Sequence, residues 1–226
     1  MNEKFYFNYY ISHQKAVQII DSIYQQNKDN ATDAQLKDLI YKTYKAKQLD
    51  PDGKAIRSEF EIRCTADGLC SILKICKFES NAEEIAQIYK RYRSIPIFFF
   101  PSENGGINAS RAQTGTFKDR IDYTLFDLKC YLNPKATEED RRNCKLFNAY
   151  TRPKTKQWLE SMKTFENIID WYGVKGIFTN NNYEIFDIQT GDGSVITDYL
   201  GMQGWEWNTQ YYNNVKEKID LFIDRN

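Results

Sequence analysis

The chain has 226 residues, of which 41% are hydrophobic, 15% aromatic and 27% charged. This apolar content is above that of disordered chains, and a chain of this length buries about 70–75% of its unfolded surface, so we expect it to fold without disulfides. Lysine plus arginine equals aspartate plus glutamate at 31 each. This balance excludes the whole-molecule positive field on which bulk nucleic-acid binding depends.

No apolar run approaches the roughly 20 residues of a membrane span, and the first residues lack the basic and then apolar pattern of a signal peptide. We therefore expect a cytoplasmic protein with no membrane partner. The chain has five cysteines, an odd number: Cys64, Cys70, Cys76, Cys130 and Cys144. No two of them form a Cys-x-x-Cys motif. This pattern argues against a disulfide framework and a zinc ribbon, and the sequence predicts no metal site and no cofactor.

The first part of the chain has the periodicity of helices. Ser12 is a candidate N-cap for a first helix, and Thr32 with Gln35 has the spacing of a capping box for a second one. The Asp-Pro-Asp-Gly sequence at 50–53 ends this second helix. Residues 56–64 then alternate between apolar or small and charged side chains, which predicts a half-exposed strand.

The middle of the chain combines a third helix with an apolar run. The run 69–78 fits either a strand or a short helix, and Ser80 with Glu83 repeats the capping-box spacing. The apolar segment 95–101, bracketed by prolines, predicts a short central strand that ends at Pro101. Residues 102–118 contain three glycines and no periodicity, so we expect a loop there.

The remaining elements complete a mixed fold. In order, the pattern predicts a helix from Asp119, a helix starting at 137–140, a long helix from Trp158 to Gly173, a strand at 183–188, a turn at 191–194 and a helix around 215–222. We interpret the sequence as α+β, a helix-rich single domain around a small sheet. It spans residues 1–226, with an N-terminal helical part at 1–53 and a mixed main body at 54–226.

Polar residues in an unusual setting follow the apolar strand: Asn108, Arg111, Asp119, Arg120 and Asp122. Ligands collect where loops leave buried strands. The guanidinium group offers a planar fork of donors to phosphate or carboxylate, and Gly105-Gly106 lets the backbone approach a ligand closely. We therefore predict ligand contacts by Asn108, Arg111 and Arg120.

The same residues also fit a structural interpretation. Asp119 is a candidate helix cap, Arg120 and Asp122 are candidates for an ion pair, and Asn108 for closing a turn. Asp119 and Asp122 are the pair of carboxylates that we would assign to acid–base catalysis, although aspartates three residues apart are commoner at helix starts. His13 is the only histidine, and its place near a helix start is typical of a solvated side chain.

The segment also resembles a bacterial protein family of unknown function. In that family an apolar strand ending in Phe-Pro precedes an Asn-x-x-Arg motif and an Asp-Arg-x-Asp-x-Thr-Leu motif, and the matching stretches here are 97–101, 108–111 and 119–125. The helix 165–172, followed by the sequence at 173–178, is similar as well. The resemblance covers roughly residues 69–187; it implies a site at these motifs and no particular reaction.

Two functions from different classes follow. The first is the binding, or the binding and processing, of a small phosphate-bearing ligand such as a nucleotide. The alternative is a non-enzymatic inhibitor or adaptor that docks on a protein or ribonucleoprotein, as a counter-defence protein of a phage or mobile element would. Trp205, Trp207, Tyr211 and Tyr212 are candidates for base stacking, for partner anchoring or for the core. The sequence leaves open whether the protein is an enzyme.

Overall fold

The computed structural model of the protein describes residues 18, 21–46, 60–63, 81–84, 86–87, 97–101, 103–113, 117, 120–199 and 209–225. The chain forms two compact units, one with residues 1–58 and 64–96 and the other with residues 59–63 and 97–226. No helix in these described ranges is long and apolar enough to cross a membrane. Whether the units behave as one folding domain stays a prediction.

The described part of the chain is mainly helical, which confirms the helix-rich part of the predicted fold class. In chain order its elements are α1 (Asp33–Ala46), β1 (Phe60–Arg63), β2 (Phe98–Pro101), α2 (Ile107–Gln113), α3 (Ile121–Leu132), α4 (Glu138–Arg142), α5 (Phe147–Tyr150), α6 (Pro153–Met162), α7 (Phe165–Tyr172) and α8 (Thr209–Arg225). Residues 21–27, 82–84 and 86–87 are also helical.

The strands β1 and β2 pair antiparallel in a two-stranded ladder, with Phe60 opposite Pro101 and Arg63 opposite Phe98. The predicted strand at 95–101 is therefore present as β2. A ladder of four residues per strand is small beside the helices around it. The prediction of a domain organised around a sheet is accordingly not confirmed.

The first unit contains a helix start that the sequence predicted correctly. The Gln35 N–H donates to the Thr32 hydroxyl at 3.3 Å, and the Thr32 N–H donates to the Gln35 side chain at 2.8 Å, which closes the capping box. Asp33 is the first residue of α1. Its carboxylate accepts the Ala82 N–H at 2.6 Å, and this bond lowers the pKa of Asp33. Local capping and a long-range bond thus fix the same helix end.

The helical residues 82–84 and 86–87 follow a different capping box from the one predicted at Ser80 and Glu83. The Glu84 N–H donates to the Asn81 side-chain oxygen at 2.9 Å, and the Asn81 N–H donates to Glu84 at 3.1 Å. Ser80 lies outside the described residues. Asn caps helices as well as Ser does. The pair Ser80 and Glu83 and the pair Asn81 and Glu84 therefore both have the spacing of a capping box.

Aromatic side chains dominate the core of the second unit around β2. Phe98 and Phe100 are fully buried. The Phe98 ring meets the rings of Tyr172 and Phe178 edge-on, with centroids 5.0 and 4.9 Å apart, and Phe100 meets Trp158 at 6.1 Å. Edge-to-face pairs add to the hydrophobic gain of burying such large rings.

The long helix predicted from Trp158 to Gly173 is wrong, because the chain forms two helices there. Lys163 has a φ of 68° and ends α6, and the Thr164 hydroxyl then caps α7 by accepting the Asn167 N–H at 3.2 Å. The predicted terminator is confirmed, since Gly173 has a φ of 69° at the end of α7. The helical spacing of apolar residues continues from α6 into α7, so the sequence pattern gives no sign of the break at Lys163 and Thr164.

The segment 174–199 follows α7. It contains isolated β-bridges and no full strand. Ile185 pairs with Thr179, and Phe186 pairs with Val195. The Asp187 N–H donates to the Ser194 carbonyl at 2.9 Å, and Gly191 and Gly193 have positive φ between these two residues. The predicted turn at 191–194 is confirmed, whereas the strand at 183–188 is reduced to these bridges.

Residues 102–118, predicted to be a loop, contain α2 (Ile107–Gln113). Among the side chains of α2 that the structure describes, Ile107, Asn108 and Arg111 are buried, and two of these three are polar. A helix whose inward face carries an amide and a guanidinium has no apolar stripe, and hydrophobic periodicity cannot detect it.

The Glu103 carboxylate, outside α6, stabilises the N-terminus of that helix. Its oxygens accept the Thr155 N–H and hydroxyl, both at 2.6 Å, and the Lys154 N–H at 3.2 Å. Arg152, the N-cap residue of α6, makes no side-chain cap of its own. Burial opposes ionisation of Glu103, but these hydrogen bonds outweigh it and hold the pKa of Glu103 below its ordinary value.

We expect Phe98→Ala to lower the free energy of unfolding by about 3–5 kcal/mol, because it empties a core position packed on two aromatic rings. Urea denaturation followed by circular dichroism measures this loss. Leu221→Ala is the matched control: Leu221 is 47% exposed, so its truncation should cost about 0.5 kcal/mol or less. Equal losses for the two variants would contradict the core placement of β2.

We expect Glu103→Gln to destabilise the protein by about 1 kcal/mol at pH 7, because a charged acceptor at a helix N-terminus becomes neutral. The folded pKa of Glu103 lies below its ordinary value of 4.5. The stabilisation is therefore present above that pH and is lost as the pH falls through the folded pKa. A series of urea melts from pH 7 into acid should show the difference between the two chains shrinking as the pH falls below 4.5. Glu160→Gln, on the exposed face of α6, is the control.

Candidate ligand site

Asn108 and Arg111 lie one turn apart on α2, and both are interior residues. Asn108 is 3% exposed and Arg111 is 4% exposed. The Arg111 Nη2 donates to the Phe117 carbonyl at 3.0 Å, which fixes the direction of the guanidinium group. The structure therefore brings together two of the three predicted ligand contacts and immobilises the arginine.

A glycine turn precedes α2 and sets its start. Gly105 has a φ of 71°, a backbone conformation that favours glycine, and a side chain there would displace the Arg152 guanidinium, which would lie 2.9 Å away. The Gly106 N–H donates to the Glu103 carbonyl at 3.1 Å, and the Ser110 hydroxyl donates to the Gly105 carbonyl at 3.3 Å. The turn joins β2 to α2, of which Asn108 is the second residue.

Arg120, the third predicted contact, forms a buried ion network directly before α3. Its guanidinium pairs with Asp122 through two bonds, Nε to Oδ1 at 2.8 Å and Nη2 to Oδ2 at 2.7 Å. Nη2 also donates to Asp187 at 2.9 Å. The side chain is 1% exposed and lies 4.3 Å from the Tyr123 ring centre and 5.2 Å from that of Tyr211.

The charge on Arg120 is stabilised in the interior. Burial opposes that charge, but the hydrogen bonds and the attraction from Asp122 outweigh it and raise the pKa of Arg120. The guanidinium is thus a permanent cation held between two carboxylates and two aromatic rings. A charge-assisted, bidentate pair of this kind is among the stronger polar contacts in proteins.

Asp122, a predicted candidate for acid–base catalysis, is fully buried and heavily engaged. Besides Arg120, its oxygens accept the Tyr123 N–H and the Ile188 N–H, both at 3.0 Å. The carboxylate thus joins the first turn of α3 to the segment at 187–188. Asp119, its predicted partner in catalysis, lies outside the described residues.

The Phe117 carbonyl links the two halves of the site. It accepts the Arg111 Nη2 at 3.0 Å and the Arg120 backbone N–H at 3.3 Å. The Phe117 ring is buried and lies 6.4 Å from the Tyr123 ring. Sequence reasoning overlooked Phe117, because a backbone carbonyl leaves no sequence signal.

Asp127 is a second buried carboxylate on α3 that the sequence analysis did not single out. It accepts the Lys145 N–H at 2.7 Å, the Leu146 N–H at 3.0 Å, and the hydroxyl groups of Tyr150 and Tyr199 at 2.7 and 2.6 Å. The sequence contains one signal for it: Asp127 is a charged residue within the apolar face of α3, with apolar residues before and after it on that face.

The other candidates fall into two groups. Tyr211 is buried, and its ring faces Arg120, so it belongs to the core. His13, Trp205, Trp207 and the side chain of Tyr212 lie outside the described residues. Within the described ranges, no group of three or more His, Cys, Asp or Glu side chains is arranged to hold a metal ion.

Comparison with known proteins adds no relative to this description. No protein-family model, no curated protein and no solved structure matches the chain. The resemblance noted in the sequence therefore stays a prediction.

We expect Asp122→Ala to lower the free energy of unfolding by about 3–5 kcal/mol, because it leaves the buried Arg120 charge without its main partner. The double variant Arg120→Met with Asp122→Ala should lose about 1–3 kcal/mol less free energy of unfolding than the sum of the two single losses. Denaturant melts of the four chains measure this coupling. The matched control is the exposed pair of Arg142 and Glu138 on α4, whose coupling should not exceed about 0.5 kcal/mol. Additive losses at 120 and 122 would contradict a coupled buried pair.

Proposed function

We propose that the protein binds a small phosphate-bearing ligand, such as a nucleotide, through Asn108 and Arg111. The observation that carries this proposal is the placement of a buried guanidinium and a buried amide one turn apart on α2, directly after a glycine turn at the end of β2. Strand ends followed by such turns are common ligand sites in mixed folds. Cytoplasmic location, expected from the sequence, remains part of the proposal.

The chemistry of Arg111 favours an anion over a neutral ligand. A guanidinium group keeps its charge at every physiological pH and binds phosphate oxygens in pairs. Because water is excluded from the surroundings of a residue that is 4% exposed, the attraction between its charge and an anion is stronger than at the surface. Asn108 adds both a donor and an acceptor, which suits the hydroxyl or base edge of a nucleotide.

Arg120 takes a different role in this proposal from the one first predicted. Its guanidinium already pairs with Asp122 and Asp187. Its backbone N–H shares the Phe117 carbonyl with Arg111. We therefore assign Arg120 the positioning of Phe117, and through it the orientation of Arg111, instead of direct contact with the ligand.

Titration calorimetry of a nucleotide panel and of inorganic pyrophosphate tests the proposal. Wild type should bind at least one compound, and Arg111→Lys, which keeps the charge but removes the planar fork, should bind it about 10-fold or more weakly. Asn108→Ala should weaken nucleotides more than pyrophosphate. The control is Arg142→Lys, whose side chain is exposed on α4 and whose binding should match wild type.

A thermal-shift screen of the same compounds gives an independent readout. A ligand at 100 times its Kd stabilises the folded state by about 2.7 kcal/mol, so binding raises the melting temperature, and the rise grows with the logarithm of the ligand concentration. The proposal fails if no phosphate compound stabilises wild type, or if Arg111→Lys folds and responds as wild type does. Failure of the whole panel would favour the alternative of an adaptor that docks on a protein or ribonucleoprotein.

A further inference from the structure

A cavity of about 420 Å³ lies beside the C-terminal end of α3, and none of its lining residues belongs to the site at Asn108 and Arg111. Cys130, in the last turn of α3, and Cys144, two residues after α4, both line this cavity. Tyr199 and Asp140 line it as well. Tertiary packing thus brings a cysteine of α3 and a cysteine of the segment after α4 to the same cavity.

The walls of this cavity are fixed by the buried Asp127 carboxylate. Asp127 lies one turn before Cys130 on α3 and accepts the hydroxyl of Tyr199 at 2.6 Å. It also accepts the N–H groups of Lys145 and Leu146, which directly follow Cys144, at 2.7 and 3.0 Å. One carboxylate therefore holds the backbone beside Cys144, the ring of Tyr199 and the helix of Cys130 in a single arrangement.

Both sulfur atoms are thiols at neutral pH. Burial raises the pKa of Cys144 to about 12, and the nearby Asp127 charge acts in the same direction. Burial also raises the pKa of Cys130 and outweighs the opposing effect of the neighbouring Tyr199 hydroxyl. The Cys144 thiol donates to the Asp140 carbonyl at 3.7 Å. Chemistry that needs a thiolate nucleophile is therefore disfavoured at this site.

The arrangement also differs from a zinc site. Structural zinc takes four ligands, and the described residues contain no group of three or more His, Cys, Asp or Glu arranged for a metal ion. Soft centres, in contrast, prefer sulfur ligands. We propose that Cys130 and Cys144 form a dithiol site that binds a thiophilic centre with two sulfur ligands, namely trivalent arsenic or a centre of the same chemistry.

The binding reaction balances without an oxidant. An organoarsenic(III) oxide condenses with the two thiols: two As–S bonds form, two S–H bonds and the bond from arsenic to oxygen break, and the oxygen leaves with both protons as one water. Arsenic and sulfur keep their oxidation states. Because the protonated thiols are the reactants, the raised pKa values of Cys130 and Cys144 are compatible with this step.

Phenylarsine oxide and intact-protein mass spectrometry test the proposal. The test uses a chain in which the other three cysteines, Cys64, Cys70 and Cys76, are replaced by serine. We expect one arsenical per chain, bound with loss of one water, that excess monothiol leaves in place and 2,3-dimercaptopropanol removes. Cys130→Ser and Cys144→Ala, added separately to this background, should each abolish the monothiol-resistant adduct.

Peptide mapping of the wild-type chain keeps the test decisive if a variant does not fold. After treatment with phenylarsine oxide, arsenic should bridge the peptides that contain Cys130 and Cys144. The absence of any adduct, a monothiol-resistant adduct that survives either replacement, or a bridge involving Cys64, Cys70 or Cys76 would overturn the proposal. This test is independent of the nucleotide titrations, because it changes no residue of the α2 site.

Discussion

A permanent positive charge in the interior must be matched by acceptors, and Arg120 imposes this constraint on the second unit. Asp122 pairs with it from the first turn of α3, and Asp187 pairs with it from a distant loop. Tyr211 of α8 lies against its face. Three segments far apart in sequence are thus held at one cation, and none of them can move away without exposing a buried charge.

The other buried carboxylate of α3, Asp127, organises the middle of the helix by the same principle without a cation. Asp127 is satisfied by two backbone N–H groups and two tyrosine hydroxyl groups. Burial and the neighbouring charge raise the pKa of Tyr199, so its hydroxyl keeps the proton that it donates. One buried carboxylate with its hydrogen-bond partners therefore lies in the first turn of α3 and a second lies in its middle. The aromatic core between β2, α6 and α7 provides the hydrophobic contribution.

The two proposed sites are associated with opposite ends of α3. Arg111 and Phe117 precede its first turn, whereas Cys130 lies in its last turn, and ten helical residues span about 15 Å. Substitutions at that separation with no shared partner are expected to act independently. The ligand site and the dithiol site can therefore be tested one at a time, and neither result depends on the other.

The sequence by itself determined the features whose partners lie within one helical turn. The capping box of Thr32 with Gln35, the helix start at 137–140 and the Gly173 terminator are present as predicted, and the structure adds a capping box between Thr137 and Asp140 at that helix start. These bonds join residues at most four apart, so residue type and spacing are sufficient to predict them. Where two neighbouring pairs satisfied the same rule, as at Ser80 and Asn81, spacing alone could not choose between them.

Only the tertiary structure decided the features whose partners are distant in sequence. α2 escaped prediction because Asn108 and Arg111 occupy its buried face, and burial of polar groups depends on acceptors that the rest of the fold provides. Nothing local to Asp122 or Asp127 indicates that Ile188 and Tyr199 complete their bonds. Such contacts follow from three-dimensional packing, because the free energy of a buried charge depends on all the groups around it and not on its sequence neighbours.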